Sequence, residues 1–179
     1  MESLLDYVIS PAGPADAAEL ARVHVRSWRE TYPGILPQAA LNRMNVAAHA
    51  RRFRLELTRA QKGQATLIAE GVDGGVGYAS GAVLSGDGRA ADAEVFTLYV
   101  LRSAHGLGVG RALLQAQARV LRSEGAKSLM LFVLTRNERA RSFYERLGGE
   151  AFAEVASNGW GQGLTETAYR WPEIGSLTR

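Results

Sequence analysis

The 179-residue chain contains no cysteine. That excludes a disulfide framework, a thiol nucleophile and any zinc site built on thiolates. Histidine is scarce too: His24, His49 and His105 are the whole set, too scattered for a cluster, so no metal is expected. No apolar run approaches about 20 residues, so neither a membrane span nor a membrane partner is expected. The segment Met1-Glu2-Ser3-Leu4-Leu5-Asp6 has no basic stretch ahead of an apolar run; no signal peptide is expected, and a cytoplasmic protein is the default. Lysine is nearly missing, Lys62 and Lys127 being the only two, so arginine carries the small excess of 21 Lys+Arg over 18 Asp+Glu. The tightest basic run, Arg51-Arg52-Phe53-Arg54, reads as a solvated helix face, not the dense patch that nucleic acid requires. No nucleic-acid partner is expected, and scattered arginines suit a small anionic ligand.

What is present is an ordinary globular composition, 46% hydrophobic and 22% charged, with no repeat or linker; one domain over residues 1–179 is expected. Tyr7-Val8-Ile9 reads as a strand closed by Ser10-Pro11. Asp16 is placed to cap a helix whose Leu20, His24, Trp28 and Tyr32 repeat every four residues. Pro33 and Pro37 break it, and a second helical segment runs from Gln38 to Ala60. Thr66–Ala69 and Val76–Leu84 read as a β-hairpin turning at Asp73-Gly74. A strand from Glu94 to Val100 leads into His105-Gly106-Leu107-Gly108-Val109-Gly110-Arg111 and a helix. That helix has Leu113, Ala116, Val120 and Leu121 as its buried stripe, Arg111, Gln115 and Arg122 facing out, and Gly125 as its stop. Leu129–Val133 is apolar throughout, as for a strand buried on both faces. Asn137 caps a short helix bearing Ala140, Phe143, Tyr144 and Leu147, and Phe152–Ala156 and Thr165–Trp171 are the last strands. The class is α/β with a mixed sheet.

The alternating glycines carry the most information. Between a strand and a helix they allow a sharp turn and close approach of a ligand to the backbone, with the first N–H groups of the helix aimed at an anion. A phosphate-bearing ligand is the expectation. The dinucleotide fingerprint G-x-G-x-x-G fails, because Arg111 or Leu113 falls where the third glycine belongs. The P-loop pattern fails because Gly110 is followed by Arg111-Ala112.

Leu98-Tyr99-Val100 followed by His105-Gly106-Leu107-Gly108-Val109-Gly110-Arg111 resembles motif A of the GCN5-related N-acetyltransferases (GNAT), R/Q-x-x-G-x-G/A. Asn137-Glu138-Arg139-Ala140-Arg141-Ser142-Phe143-Tyr144-Glu145-Arg146-Leu147-Gly148 resembles the same superfamily's motif B. Trp28 to Pro37 further resembles a bacterial subgroup whose substrates are mostly unassigned. The resemblance implies a central, mixed but mostly antiparallel sheet of six to seven strands, with helices on both faces. It implies acetyl-CoA as co-substrate, held by Leu98, Tyr99, Val100, His105, Gly106, Leu107, Gly108, Val109, Gly110, Arg111, Asn137 and Tyr144. His105 departs from the family's Arg or Gln, so a permanent charge is missing from the pyrophosphate site when its imidazole is neutral.

Acetyl transfer to an amine needs an acceptor that loses a proton, a stabilised oxyanion and a protonated leaving thiolate. The resemblance makes Tyr144 the general acid and Val100 the backbone donor to the thioester carbonyl, and places Glu94 near a base. Some relatives carry a glutamate five residues before the motif B asparagine, a position that is Phe132 here. Trp28, Tyr32 and Trp160 would border the acceptor, while His24, on the apolar stripe, reads as a core histidine. The reading is an N-acetyltransferase acting on a primary amine of a small molecule or peptide by direct attack in a ternary complex. A catalytically silent acyl-CoA-binding regulatory module is the alternative, and a homodimer is compatible with either.

Overall fold

In the computed structural model, residues 6–86, 88–157 and 163–178 are described. Seven strands form one sheet, in the order β1-β2-β3-β4-β5-β7-β6. They are β1 (Val8–Pro11), β2 (Gln64–Gly71), β3 (Gly74–Val83), β4 (Ala93–Val100), β5 (Leu129–Leu134), β6 (Glu150–Ala156) and β7 (Thr165–Trp171). Only β4 and β5 run parallel, and they are joined by the crossover helix α4 (Val109–Ser123). The mixed, mostly antiparallel sheet with helices on both faces is thus the architecture observed.

Period-two alternation assigns the faces. Leu67, Ala69 and Ala79 point toward α4, whose Val109 and Leu113 pack on them. Ile68 and Tyr78 point the other way, onto α1 (Ala17–Thr31) and Phe53 of α3 (Val46–Thr58). On the α4 side a second cluster joins Leu114, Ala118 and Leu121 to Leu129, Leu131, Val133, Tyr169 and Trp171, with Tyr144 of α5 (Glu138–Arg146) against it.

Four local expectations need correction. The helix expected from Gln38 to Ala60 is two, α2 (Gln38–Arg43) and α3, because Met44 is extended and the Asn45 side chain accepts from the Ala48 N–H to start a new helix. Asp16 does stand at the start of α1, but its carboxylate accepts from the Gly13 N–H at 2.8 Å rather than from the helix. The hairpin loop is Val72-Asp73, one residue earlier than expected, since Gly71 already pairs with Gly74. The buried surface of α4 is wider than one stripe, for the helix lies over two clusters. Leu113 faces β2 and β3, Leu114, Ala118 and Leu121 face the strands beyond, and Gln117 is fully buried between them, donating to Ala65 O at 3.1 Å. Ala116 and Val120, expected in the core, are only half-buried at the margin of this surface, and Gln115 is half-buried as well.

Candidate active site

The parallel pair sets up the site by failing to stay paired. Only Ala93, Glu94 and Val95 are in register with Leu129, Met130 and Leu131, although β4 continues to Val100 and β5 to Leu134. The same stretch of β4 carries a bulge: Thr97 pairs with Ser80 and Val95 with Gly81, leaving Phe96 unmatched. The strands diverge from that point. A cavity of about 670 Å³ fills the notch, lined from one side by β4, the turn after it and the start of α4, and from the other by β5, α5 and Glu166 of β7.

The turn ahead of α4 forms one wall. Gly106 and Gly108 take φ of 80° and 82°, left-handed values at which a side chain is strained. Gly108 caps α4, and its carbonyl receives the first helical bond, from the Ala112 N–H at 3.0 Å. The N–H groups of Val109, Gly110 and Arg111 therefore have no acceptor within the helix, and these residues line the cavity. Gly110 lies within the helix, where a Cβ would make only an ordinary contact, 3.4 Å from the Phe143 ring of α5. Arg111, Arg139 and Arg146, all exposed, complete this wall with positive charge. The chain's own residues thus fit a pyrophosphate: backbone donors, the positive end of a helix dipole and an arginine rim.

His105 lines the cavity, and its Nε2 lies 2.9 Å from the carbonyl oxygen of Val100. A nitrogen facing a carbonyl oxygen must carry the proton, so this bond fixes Nε2 as the donor. Its Nδ1 is buried with no partner among the described residues. Leu98, Tyr99 and Val100 line the notch as expected, whereas Leu107 is exposed and does not. Asn137 lines it as well, and caps α5 by accepting from the Ala140 N–H at 3.2 Å.

Tyr144 sits where α5 meets the notch, only 7% exposed, between Phe143, Tyr169 and Trp171 at ring distances of 5.2, 5.9 and 6.2 Å. Its hydroxyl has no hydrogen-bond partner among the described residues, and burial pushes its pKa well above the usual phenol value, with a smaller contribution from Tyr32. It stays protonated at neutral pH, as a proton donor must.

Across the cavity runs the sheet face toward α1, where the β4 side chains Glu94, Thr97 and Tyr99 are half-buried. Register places Glu94 with Thr97 and Tyr99 on that face, opposite Ala82, Ser80 and Tyr78 of β3. Glu166, directly across from Leu134, joins it with Phe132. Burial raises the Glu94 carboxyl above its ordinary value, and the charge of Glu166 raises it further. Tyr32, at the end of α1, lines the wall, and its hydroxyl donates to Tyr99 Oη at 3.4 Å. Trp28 does not line the cavity. It stacks behind it, 5.3 Å from the Tyr32 ring and 6.1 Å from that of Tyr99. Trp160 lies outside the described residues. His24 is a core histidine, 3% exposed with Nδ1 2.7 Å from Tyr78 Oη; burial, then His49 and Arg52, hold its pKa down to about 3.

Sequence reasoning missed Phe96, Glu166, Arg139 and Arg146 as cavity residues, and took Phe132 only as a closed position. Phe132 also corrects the expectation that β5 is buried on both faces: it is 37% exposed, facing the notch. The helical arginines could have been found from their spacing to Asn137. Glu166 could not, since it reaches the site only through the pairing of β7 with β5.

The family model described as the acetyltransferase (GNAT) family matches residues 24–149. An uncharacterized N-acetyltransferase of Bacillus subtilis, YuaI, is 31% identical over 163 residues, 90% of this chain and 91% of its own. Among solved structures, the PaiA N-acetyltransferase of Thermoplasma acidophilum in complex with coenzyme A superposes with a TM-score of 0.75 at 19% identity, covering 92% of this chain and 98% of that one. YncA of Salmonella typhimurium, solved with its cofactor acetyl-CoA, gives a TM-score of 0.67 at 22% identity and covers 94% of both chains. The chain belongs to the acetyltransferase (GNAT) family, and it is an enzyme of the N-acetyltransferase class. No helix among the described residues is long and apolar enough to cross a membrane.

Proposed function

We propose that this protein transfers an acetyl group from acetyl-CoA to a primary amine of a small molecule or peptide, by direct attack within a ternary complex. One observation carries the reading. A single notch brings together the unbonded N–H groups at the start of α4, the hydroxyl of Tyr144 and the Glu94 carboxylate, three groups from three elements. The N–H groups of Val109, Gly110 and Arg111 bind the pyrophosphate, and Asn137 lies along the route of the pantetheine arm. Acetyl-CoA supplies an activated acetyl group as a thioester.

Glu94 takes the proton of the acceptor ammonium, directly or through water, and its raised pKa makes it a better base than an exposed carboxylate. The backbone of Val100 faces the oxyanion, and Tyr144 donates its phenolic proton to the departing sulfur. Release of free CoA from acetyl-CoA, followed over a broad panel of amines, tests the reading. Turnover on any amine supports it. Binding of acetyl-CoA without turnover on the whole panel leaves the silent regulatory module.

A further inference from the structure

Among the described residues, Phe96 and Phe132 are the only aromatic side chains in the set of exposed large hydrophobics, at 52% and 37% exposure. They are also the only members of that set that line the cavity. Neither packs in any of the four core clusters. Isolated apolar groups on an outer surface, such as Val8 or Val72, are ordinary; two phenyl rings facing one concave space are a binding feature.

Their place follows from the parting of the strands. Val95 and Leu131 are the last registered pair of β4 and β5, and Phe96 and Phe132 are the next residue on each. The two residues therefore flank the root of the notch. On β5, Leu131 and Val133 pack on the α4 side, so Phe132 belongs to the face toward α1, between buried Met130 and Leu134. On β4, Val95 and Leu98 pack on the α4 side, and the bulge leaves two residues between them, Phe96 and Thr97, where a regular strand has one. Glu94 pairs with Met130, two residues before Phe132 on the same face. The helix whose N–H groups face the pyrophosphate lies on the opposite face of the sheet.

Resting on the acetyltransferase reading, we propose that the acceptor is a primary amine borne on an apolar, ring-sized group, and that Phe96 and Phe132 form the subsite for that group. Glu94 faces the amine, and the substituent lies against the two rings at the root of the notch. Covering them removes exposed apolar surface from water on both partners, a gain that a small polar amine cannot make. Phe96 and Phe132 are specificity residues in this reading: they select the acceptor and take no part in proton transfer.

Phenethylamine and ethanolamine, two primary amines of similar basicity, separate the terms, because one carries a phenyl ring where the other carries a hydroxyl. One methylene in an apolar pocket already discriminates by roughly ten-fold or more, so kcat/KM for phenethylamine should exceed that for ethanolamine by about 50-fold or more. Phe132→Ala and Phe96→Ala should each bring the two acceptors within about ten-fold of one another, while Phe132→Leu, which keeps an apolar group, should retain most of the preference. A melting curve with acetyl-CoA confirms that each variant is folded; if Phe132→Ala is not, Phe96→Ala decides. Equal kcat/KM for the two acceptors, or an unchanged ratio in the folded alanine variants, overturns the proposal. A raised KM for acetyl-CoA with that unchanged ratio gives the rings to the coenzyme and overturns it as well. So does acetylation of polar amines with phenethylamine refused, an outcome that leaves the acetyltransferase reading intact. Absence of CoA release with any amine overturns that reading itself.

Discussion

The two walls of the notch are built by different means. The wall of α4 and α5 comes from two short stretches, Val100 to Arg111 and Asn137 to Leu147, and its binding groups are mostly backbone N–H groups fixed by glycine conformation and a helix start. The opposite wall is assembled from α1, β4, β5 and β7, and every group it offers is a side chain: Tyr32, Glu94, Phe132, Glu166. Backbone donors tolerate change in most side chains and bind one constant ligand. Side chains on separate strands can be exchanged one at a time, so that wall can vary without disturbing the other.

Tyr144 stands at the junction of the two walls, and its removal gives the largest effect. Tyr144→Phe keeps the ring packing and loses only the hydroxyl, so under the proposed role as proton donor kcat should fall by roughly 10²–10⁴-fold with KM for acetyl-CoA little changed. Wild-type kcat in steady-state assays would reduce Tyr144 to a packing residue and leave the proton to water.

The claim that one wall binds through backbone is broken or sharpened at Gly108. Acetyl-CoA at 100 times its Kd should stabilise the folded protein by about 2.7 kcal/mol, read as a rise in melting temperature. In Gly108→Val the side chain meets a φ of 82° and the phosphate-facing backbone must move, so this rise should vanish. An undiminished shift would place the phosphate site elsewhere.

Behind the acceptor wall, His24 ties α1 to Tyr78, and it should make stability depend on pH. Its folded pKa of about 3 lies below its ordinary value of 6.5, so below about pH 6.5 the unfolded chain takes up a proton that the folded one refuses. Stability should therefore fall as pH drops, by up to about 1.4 kcal/mol per pH unit. Urea unfolding at several pH values checks this, and His24→Gln should flatten the slope. An unchanged slope would assign the acid sensitivity to other groups.

The smallest effect is expected at His105. Its Nε2 is committed to the Val100 carbonyl, so His105→Ala should cost about 1 kcal/mol of stability and weaken acetyl-CoA by less than about ten-fold. Calorimetry showing a larger loss, or proton uptake on binding near neutral pH, would place the imidazole on the phosphates and add a side-chain term to a backbone site.

Most of the α4–α5 wall was legible in the sequence because its determinants are local. Gly106 and Gly108 turn the chain wherever it lies, and the Asn137 cap and the Phe143-Tyr144 pair follow from helix geometry over a few residues. The resemblance to two motifs supplied their order. Residues whose role depends on distant packing were less legible. Trp28, on the same helical stripe as Tyr32, was expected in the acceptor pocket, yet one turn of helix puts it behind the wall.

By itself, then, the sequence determined the elements, the glycine turn and the place of Tyr144 on its helix, all through interactions spanning a turn of helix or a few residues of strand. The tertiary structure alone decided where β4 and β5 part, that Phe132 faces the notch, and that Glu166 lines the same cavity as Glu94. Those facts depend on register between strands far apart in the chain, and on a bulge at Phe96 that no local periodicity announces.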